Sequence, residues 1–246
     1  METKDFARTR IADHGGLVQE AGVRLGDCQT GHFRLMFLFM MEQIDARSDP
    51  KQALEAAEKI LRAGGVIAFP TETIYGFGCD PRNVAALSRV YRMKGRDKAK
   101  AMPLVACSFG QVEKFFKIPE QAREYADKYW PGPLTMLLEP AELALRKSMP
   151  VFKDGLAAVR VTSHPFVRDL ACGFGFPLVA TSANLSGDPA CLSAEQVMVA
   201  FMSSEPENQP DLIINGGELE PSEPSTIIKF DDDGAVMIVR QGVVRL

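Results

Sequence analysis

Basic side chains are concentrated in one short segment of the chain, RVYRMKGRDKAK, which runs from Arg89 to Lys100. It holds six basic residues and a single acidic one, Asp97. The planar guanidinium of arginine and the compact ammonium of lysine both bind phosphate oxygens, so the segment could hold a polyphosphate. Lysine and arginine also stabilise the C-terminal end of a helix without binding any ligand. Taken alone, the segment favours this second interpretation.

Hydroxyl groups recur in a second segment, PTETIYGFG, from Pro70 to Gly78. Thr71, Thr73 and Tyr75 alternate along it, so their hydroxyl groups would share one side of an extended chain. The segment follows VIAF, an apolar run typical of a buried strand, and open α/β sheets bind ligands at the carboxyl ends of their strands. A Pro/Gly turn with ordinary hydroxyl caps is the alternative. Composition alone leaves the two interpretations open.

A third polar cluster, LVATSANLSG, extends from Leu178 to Gly187. Ser182, Asn184 and Ser186 could offer hydroxyl and amide groups to phosphate or ribose oxygens. A turn built on the same side chains, leading into the next helix, is the alternative. The sequence contains no GxxxxGK[ST] loop, no GxGxxG after a strand, no GxSxG elbow and no kinase signature, which excludes those enzyme classes.

Arg160 lies within an otherwise small and apolar run, AAVRVTSHP. A buried charge without a partner is costly, so this guanidinium needs an anion close to it. The carboxylate of a ligand and a structural Asp or Glu are the two candidates. His164 stands directly before Pro165, a position that suits a turn or a helix cap better than a catalytic base.

The composition describes an ordinary globular protein. The 246 residues include 28 Lys and Arg, 32 Asp and Glu and 46% hydrophobic residues, which excludes global disorder and does not favour wholesale coating of nucleic acid. The five cysteines form no CxxC pair, and with only three histidines no metal centre is expected. An odd number of scattered cysteines predicts reduced thiols and a cytoplasmic location.

Residues 1–41 differ from the rest and are interpreted as a loosely ordered N-terminal extension. Its apolar run, Leu35 to Met41, is far shorter than the roughly 20 residues that a membrane helix needs. No small-residue cleavage site follows the run, so neither a secretory signal nor a membrane anchor is predicted. Docking of this run on the main domain or on a second subunit is the alternative. Residues 42–246 are predicted to form one domain.

Strands and helices are predicted to interleave through this domain, which indicates an α/β fold with a central twisted sheet. Asp49 and Pro50 are typical of a helix start, and Gly64 and Gly65 of its end. The remaining helices are predicted at 84–93, 119–130, 165–174 and 193–202. The strands are predicted at 66–69, 103–107, 134–138, 157–161, 178–181, 212–214, 226–230 and 236–239.

Six motifs occur in the order seen in the YrdC-like family, which the chain resembles over about residues 45–246. They are PTETIYGFG, KGR with a following PL, WPGPLT, AVRVTSHP, ATSANLSG and PSTIIKF. The resemblance implies an open, twisted, mixed β-sheet flanked by helices, with a large positively charged cavity. It also implies synthesis of threonylcarbamoyl-AMP and pyrophosphate from L-threonine, bicarbonate and ATP, for N6-threonylcarbamoyladenosine at tRNA position 37. The chain is similar to the short form of the family, without an additional C-terminal domain.

The resemblance also implies roles for individual residues. Lys94 and Arg96 would be catalytic, Mg²⁺ would accompany ATP as its cofactor, and no metal would be held by the protein. The implied ATP-binding residues are Lys94, Arg96, Ser182, Asn184 and Arg240. The implied L-threonine-binding residues are Thr73, Tyr75, Arg160 and Ser225.

The chain departs from the family pattern at two places. Six residues, DKAKAM, separate Arg96 from Pro103, more than the common spacing, so Lys98 and Lys100 could share the phosphate contacts. Cys107 stands where some relatives have a histidine after the PL strand, which puts that contact with threonine in doubt.

Two alternatives and a set of partners complete the expectations. The chain could be a non-catalytic module that binds tRNA or double-stranded RNA. It could also be a paralogue that adenylates another carbamoylated substrate. For the synthase, the resemblance implies downstream threonylcarbamoyl transferase proteins as partners, and tRNA or double-stranded RNA as a further one.

Overall fold

The computed structural model describes residues 41–231 and 233–246, so nearly all of the predicted extension, residues 1–41, lies outside the described residues. Within them the chain forms seven α-helices and eleven strands, which confirms the predicted α/β class. The helices are α1 Pro50–Arg62, α2 Val84–Met93, α3 Phe109–Phe115, α4 Glu120–Tyr129, α5 Leu143–Ser148, α6 Pro165–Phe174 and α7 Ala194–Phe201. The strands are β1 Gln43–Asp45, β2 Ile67–Pro70, β3 Tyr75–Gly78, β4 Leu104–Ala106, β5 Leu134–Leu138, β6 Ala157–Val161, β7 Leu178–Val179, β8 Thr181–Ser182, β9 Leu212–Asn215, β10 Thr226–Phe230 and β11 Val236–Arg240.

Helix ends follow the capping residues in the sequence. The carboxylate of Asp49 accepts a hydrogen bond from the backbone N–H of Gln52 at 2.9 Å, and Pro50 opens α1. Helices α2 and α6 begin and end at the predicted residues. Gly175 ends α6 in the left-handed conformation, with φ of 78°, as a C-terminal glycine commonly does.

The strands form two mixed sheets, where the sequence predicted one central sheet. The first has the order β1-β9-β2-β3-β8 and the second β11-β10-β5-β6-β4-β7. The predicted strand 178–181 is divided between them, because β7 pairs with β4 of the second sheet and β8 pairs with β3 of the first. At the crossing, the N–H of Val179 donates to the carbonyl of Cys79 and that of Ala180 to the carbonyl of Pro103. The chain therefore passes from one sheet to the other at Ala180.

Cys107 and Cys172 form a disulfide, which corrects the expectation of reduced thiols for this pair. Their Cα atoms are 5.4 Å apart, although 65 positions separate them in sequence. Gln111 ties the same segments together: its side chain accepts from the N–H of Cys107 and donates to the carbonyl of Ala171, each at 2.8 Å. The pairing comes from the packing of α6 on β4, which cysteine spacing does not reveal. In the described part of the chain, Cys79 and Cys191 are free and buried.

No helix among the described residues combines the length and the apolar character that crossing a membrane requires.

Candidate active site

A cavity of about 380 Å³ lies where elements of both sheets meet. The first sheet, with the turn between β2 and β3, contributes small and hydroxyl-bearing residues, whereas the second contributes apolar and basic ones. From the first sheet and this turn come Thr71, Thr73, Gly76 and Ser182. From the second sheet and the residues that flank it come Leu137, Ala158, Arg160, Ser225, Ile227, Val239 and Arg240.

The charge of this cavity is one-sided. Arg96, Lys100, Arg160 and Arg240 line it, and none of its lining residues is Asp or Glu. Burial lowers the pKa of Arg240 below its ordinary value, and the nearby positive charges of Arg160 and Arg96 lower it further. Guanidinium groups held this close together favour an anionic ligand such as a phosphate or a carboxylate.

A second cavity, of about 500 Å³, has the opposite character. Its charged lining is one lysine, Lys117, and three carboxylates, on Glu139, Asp231 and Asp233. It shares only Leu137 with the first cavity. Because carboxylates predominate there, the smaller basic cavity is the candidate site for an anionic substrate.

Lys94 does not line the basic cavity, although the family resemblance placed it among the catalytic residues. Its side chain is buried, with 1% of the residue exposed. The three N–H groups of the ammonium share four acceptors: the backbone carbonyls of Ser182 and Asn184, the Ser182 hydroxyl at 3.1 Å and the Asn184 amide oxygen at 3.0 Å. Burial lowers the pKa of Lys94 to about 8, and the charge of Arg96 adds to this effect. Lys94 therefore braces the segment that carries Ser182 and Asn184.

Gly95 redirects the chain so that Arg96 enters the cavity. Its φ of +55° is a conformation that glycine adopts readily, and it directly follows the last turn of α2. Arg96 donates from Nη2 to the carbonyl of Ala101 at 3.0 Å, while its buried Nε has no hydrogen-bond partner among the described residues. In the same loop Lys100 lines the cavity, whereas the exposed Lys98 does not. The basic segment thus supplies two of its side chains to the site.

Arg89, at the start of the same segment, is used in the fold instead. Its guanidinium pairs with Asp211, with Nη1 2.6 Å from the carboxylate. The same carboxylate accepts a hydrogen bond from the N–H of Val66 at 2.7 Å, next to β2. Arg89 therefore matches neither interpretation of the segment, because its guanidinium is partly buried in an ion pair and the basic residue in the last turn of α2 is Arg92.

Ser182 and Asn184 differ in their access to the cavity. Ser182 lines it, next to Thr181. Asn184 is buried, its amide oxygen accepts from Lys94, and its amide nitrogen donates to the carbonyl of Asp188 at 2.6 Å. Both ends of the Asn184 side chain are thus engaged within the protein, so it shapes the loop that presents Ser182.

The two threonines of the PTET motif are side by side, and Tyr75 is not with them. The hydroxyl oxygens of Thr71 and Thr73 are 3.2 Å apart, and both residues line the cavity. Thr71 also closes the β2–β3 turn by donating to the carbonyl of Ile74 at 2.7 Å. Tyr75 is completely buried, and its hydroxyl donates to the carbonyl of Gly217 and accepts from the N–H of Gly216. The predicted alternation fails at Tyr75 because the bend at 72–74 interrupts the extended chain.

Arg160 has a structural carboxylate partner, Glu72, which the sequence analysis did not single out. Nε of Arg160 lies 3.0 Å from one carboxylate oxygen, and the side chains are 9% and 11% exposed. The hydroxyl of Thr162 donates to the other oxygen at 2.6 Å. One feature of the sequence could have indicated Glu72, namely its position between Thr71 and Thr73. The chain bends at 72–74, and the side chain of Glu72 does not line the cavity that the two threonines line.

Ser225 and Arg240 are joined to each other. The Arg240 guanidinium donates to the Ser225 carbonyl at 2.7 Å and to its hydroxyl at 3.1 Å. The Ser225 hydroxyl is also 2.9 Å from that of Thr135. The resemblance assigned Ser225 to L-threonine and Arg240 to ATP, and the two residues are neighbours in one cavity.

His164 and Cys107 do not line the cavity. His164 is the residue before α6, as predicted, but its side chain makes no capping hydrogen bond. Burial lowers the pKa of His164, and the carboxylate of Glu72 opposes this shift. Cys107 is engaged in the disulfide with Cys172.

Comparisons with known proteins identify the family to which this chain is similar. The Sua5/YciO/YrdC family model, described as "Telomere recombination", matches residues 59–242. Threonylcarbamoyl-AMP synthase of Rattus norvegicus is 38% identical over 221 residues, covering 85% of this chain and 75% of the rat protein. The enzyme of the same name from Klebsiella pneumoniae is 37% identical over 177 residues, covering 71% of this chain and 90% of its own.

A solved structure agrees in fold. P. abyssi Sua5 complexed with L-threonine superposes with a TM-score of 0.67 at 33% identity, over 77% of this chain. This chain spans 54% of the length of that protein. A family match over residues 59–242, close relatives in a mammal and a bacterium, and a shared fold lead to one conclusion: the chain belongs to the Sua5/YciO/YrdC family.

Proposed function

We propose that this chain is a threonylcarbamoyl-AMP synthase. It joins L-threonine, bicarbonate and ATP to give threonylcarbamoyl-AMP, pyrophosphate and water. The observation that carries the proposal is a cavity lined by four basic side chains and several hydroxyl groups, without a carboxylate. A triphosphate and an amino-acid carboxylate are both anionic, so this lining suits the two substrates together. Identity of 36–39% to proteins named threonylcarbamoyl-AMP synthase supports the same reaction.

The lining divides into groups suited to each substrate. Arg96, Lys100 and Arg240 would hold the phosphates, with the Ser182 hydroxyl beside them. On the other side, Arg160 would bind the threonine carboxylate. Thr73 and Ser225 would then offer hydroxyl groups to the rest of the amino acid. Lys94 and Asn184 contribute indirectly, because they hold the segment that carries Ser182.

The proposed chemistry needs no covalent intermediate on the protein. Bicarbonate supplies CO₂ and releases water, and the threonine amine adds to this CO₂ with loss of a proton, giving an N-carboxylate. One oxygen of that carboxylate attacks the α-phosphorus of ATP. The bond from that phosphorus to the β-phosphate oxygen breaks, and pyrophosphate leaves with the electron pair. The residues of the cavity would hold two anions in reach of each other and compensate the charge that develops.

Mg²⁺ enters this proposal with ATP, as part of the substrate. Among the described residues, no group of three or more His, Cys, Asp or Glu side chains could hold a metal ion. Within residues 41–231 and 233–246, the only carboxylate in contact with a cavity arginine is that of Glu72, and it is engaged by Arg160 and Thr162. When bound, Mg²⁺ would neutralise phosphate charge.

The product determines which partners the proposal includes. Threonylcarbamoyl-AMP is an activated anhydride, so a transferase must accept it and pass the threonylcarbamoyl group to tRNA. We therefore keep threonylcarbamoyl transferase proteins and tRNA as proposed partners, and the cytoplasm as the proposed compartment. The Cys107–Cys172 disulfide removes the cysteine argument for that compartment, because disulfides are uncommon there.

Pyrophosphate release tests the proposal. Purified protein with ATP, Mg²⁺ and bicarbonate should release pyrophosphate when L-threonine is added, and only background amounts without L-threonine or without bicarbonate. Release that does not depend on L-threonine would contradict the proposal and indicate another substrate. Absence of release from a folded protein that binds ATP would contradict it as well.

A further inference from the structure

Glu72 contacts Arg160 without taking a place in the cavity itself. The Glu72 carboxylate oxygen and Arg160 Nε are 3.0 Å apart. This contact lacks the alignment of a hydrogen bond, because neither atom has a hydrogen-bond partner, so it is an ion pair. Arg160 lines the cavity and Glu72 does not. The carboxylate therefore holds the Nε edge of the guanidinium from outside the space that a ligand would fill.

Thr162 holds Glu72 in turn. Arg160 lies near the end of β6 and Thr162 directly follows the strand, and the side chains of both residues contact Glu72. The Thr162 hydroxyl donates to the second Glu72 oxygen at 2.6 Å and accepts from the N–H of His164 at 3.2 Å. Thr162 is completely buried, which favours this short hydrogen bond over contacts with water. The two carboxylate oxygens of Glu72 thus have separate partners.

The terminal nitrogens of Arg160 remain available to a ligand. Neither Nη1 nor Nη2 donates a hydrogen bond to any residue that the structure describes, where the ion pair of Arg160 is made through Nε. The other charged groups that face the cavity, Arg96, Lys100 and Arg240, repel this guanidinium instead of pairing with it. A second carboxylate, from a ligand, could bind both free nitrogens in the bidentate arrangement that arginine favours.

We propose that Glu72, held by Thr162, is a positioning residue that orients Arg160 for the carboxylate of the amino-acid substrate. This inference rests on the proposed function and adds to it the residue that acts through Arg160. Because the guanidinium lies beside like charges that repel it, its orientation depends on an anion that fixes the Nε edge. Removing that anion should weaken binding of the amino acid and leave binding of ATP nearly unchanged.

Steady-state kinetics provides the first test. Glu72→Gln keeps the shape but removes the charge, and Thr162→Val keeps the shape but removes the hydroxyl donor. Each is expected to raise KM for L-threonine by roughly 10-fold or more, with KM for ATP changed by less than about 2-fold. Glu113→Gln is the matched control, because Glu113 forms an exposed ion pair with Arg123 at 2.8 Å, away from the cavity residues. The control should keep wild-type constants.

Nuclear magnetic resonance provides a test that does not need activity. The Arg160 Nε–H signal is assigned by its loss in Arg160→Lys, and we expect Glu72→Gln to shift that signal.

A double variant provides a further kinetic test. In the Arg160→Lys background, Glu72→Gln should add less than about 2-fold to KM for L-threonine, since the two residues act as one unit.

The outcomes separate this inference from the proposed function. If the wild-type protein releases no pyrophosphate, the function fails while the Nε–H signal still reports on the Glu72–Arg160 contact. If the wild type is active, unchanged KM for L-threonine in both Glu72→Gln and Thr162→Val overturns the inference. Equal changes in both KM values, together with lower thermal stability, also overturn it, because they indicate a structural role only.

Discussion

At the scale of single residues, Lys94 and Arg96 contact different parts of the molecule although one residue separates them. Gly95, with its positive φ, ends the helical path, so Lys94 points into the protein and Arg96 into the cavity. The resemblance assigned both side chains to ATP. The contacts of Lys94 lead to a different expectation for that residue.

Lys94→Met is expected to destabilise the fold and to change its pH dependence. Methionine leaves buried oxygens of Ser182 and Asn184 without a donor, at a cost of about 1–3 kcal/mol for each. Burial holds the pKa of Lys94 at about 8 in the folded chain, against an ordinary 10.5, so the unfolded chain binds more protons between these values. The contribution of Lys94 to the free energy of unfolding therefore rises across this pH window and is lost as the pH falls through about 8.

Urea unfolding of the wild type and of Lys94→Met near the two ends of this window measures the effect. The difference in unfolding free energy between the two proteins should increase by about 2 kcal/mol from about pH 7.5 to about pH 9.5. Groups that Lys94 does not influence titrate alike in both proteins and cancel, and Cys191, whose pKa the Lys94 charge lowers, is replaced by serine in both proteins for this comparison. The same difference at both pH values would contradict the buried position of the Lys94 charge.

Arg96→Ala and Lys100→Ala are expected to weaken ATP binding without changing stability. Both side chains line the cavity, and loss of one charge-assisted phosphate contact should raise KM for ATP roughly 10- to 100-fold. Lys98→Ala is the matched control, because this lysine lies in the same loop outside the cavity lining. Kinetics at saturating L-threonine measures the three variants. If Lys98→Ala raised KM for ATP as much as Lys100→Ala, the loop would act on ATP through its overall positive charge and not through a specific contact of Lys100.

At the scale of elements, the chain after β11 returns close to the start of β10 and fixes Ser225. A Cβ atom at Gly242 would overlap the backbone of Pro224 and Ser225. The N–H of Gly242 also donates to the Thr226 hydroxyl at 3.0 Å. Glycine is therefore required where these two backbone segments approach each other.

Gly242→Ala is expected to displace Ser225 and its partner Arg240, lowering kcat/KM by more than about 10-fold and stability by roughly 1–3 kcal/mol. Gly110→Ala is the control, because a Cβ there meets only the Ser108 hydroxyl at 4.0 Å and the residue lies within α3. That control should keep its activity and gain up to about 1 kcal/mol. Calorimetry and pyrophosphate release measure both variants. Wild-type activity in Gly242→Ala would show that the close approach of the two backbone segments is not needed to position Ser225 and Arg240.

The disulfide between Cys107, directly after β4, and Cys172 in α6 is expected to raise the free energy of unfolding. It closes a loop of 65 residues, for which chain entropy predicts a contribution of about 4 kcal/mol. Unfolding with and without a reductant measures it, and Cys172→Ser is the control that should not respond to the reductant. Equal stability of the wild type under both conditions would mean that the bond does not constrain the unfolded chain.

The sequence predicted those elements best whose ends carry their own signals. The capped helix α1 and the helices α2 and α6 were found from local residues. The strands β1 and β3 and the helices α3 and α5 were missed, since three to seven residues show too little periodicity. Strand β3 also contains two glycines, which disfavour a strand interpretation.

The sequence indicated which residues line the cavity better than it indicated the hydrogen bonds and ion pairs that those residues make. Most residues that the motifs indicated do line one cavity, because those motifs lie where strands end. The burial of Lys94 could not be predicted, because its partners stand 88 and 90 positions away. The pairing of Arg160 with Glu72 was also hidden, since an acidic residue between two threonines does not show which way it points.

At the scale of the whole molecule, the cavity depends on two sheets that are built from interleaved parts of the chain. Sheet order places β8 beside β3 and β7 beside β4, so the crossing at Ala180 connects the two halves of the site. Ligands that bridge both halves should stabilise the entire fold and not one sheet alone.

This arrangement has a consequence for how the protein is made on the ribosome. Thr71, Arg96 and Arg160 are translated well before Ser225 and Arg240, which come from the β10–β11 hairpin and complete the cavity. A nascent chain that ends before Ser225 already holds nine of the eleven strands but lacks one wall of the cavity. A ligand that bridges this cavity can therefore assist only the last stage of folding, after the hairpin has been synthesised.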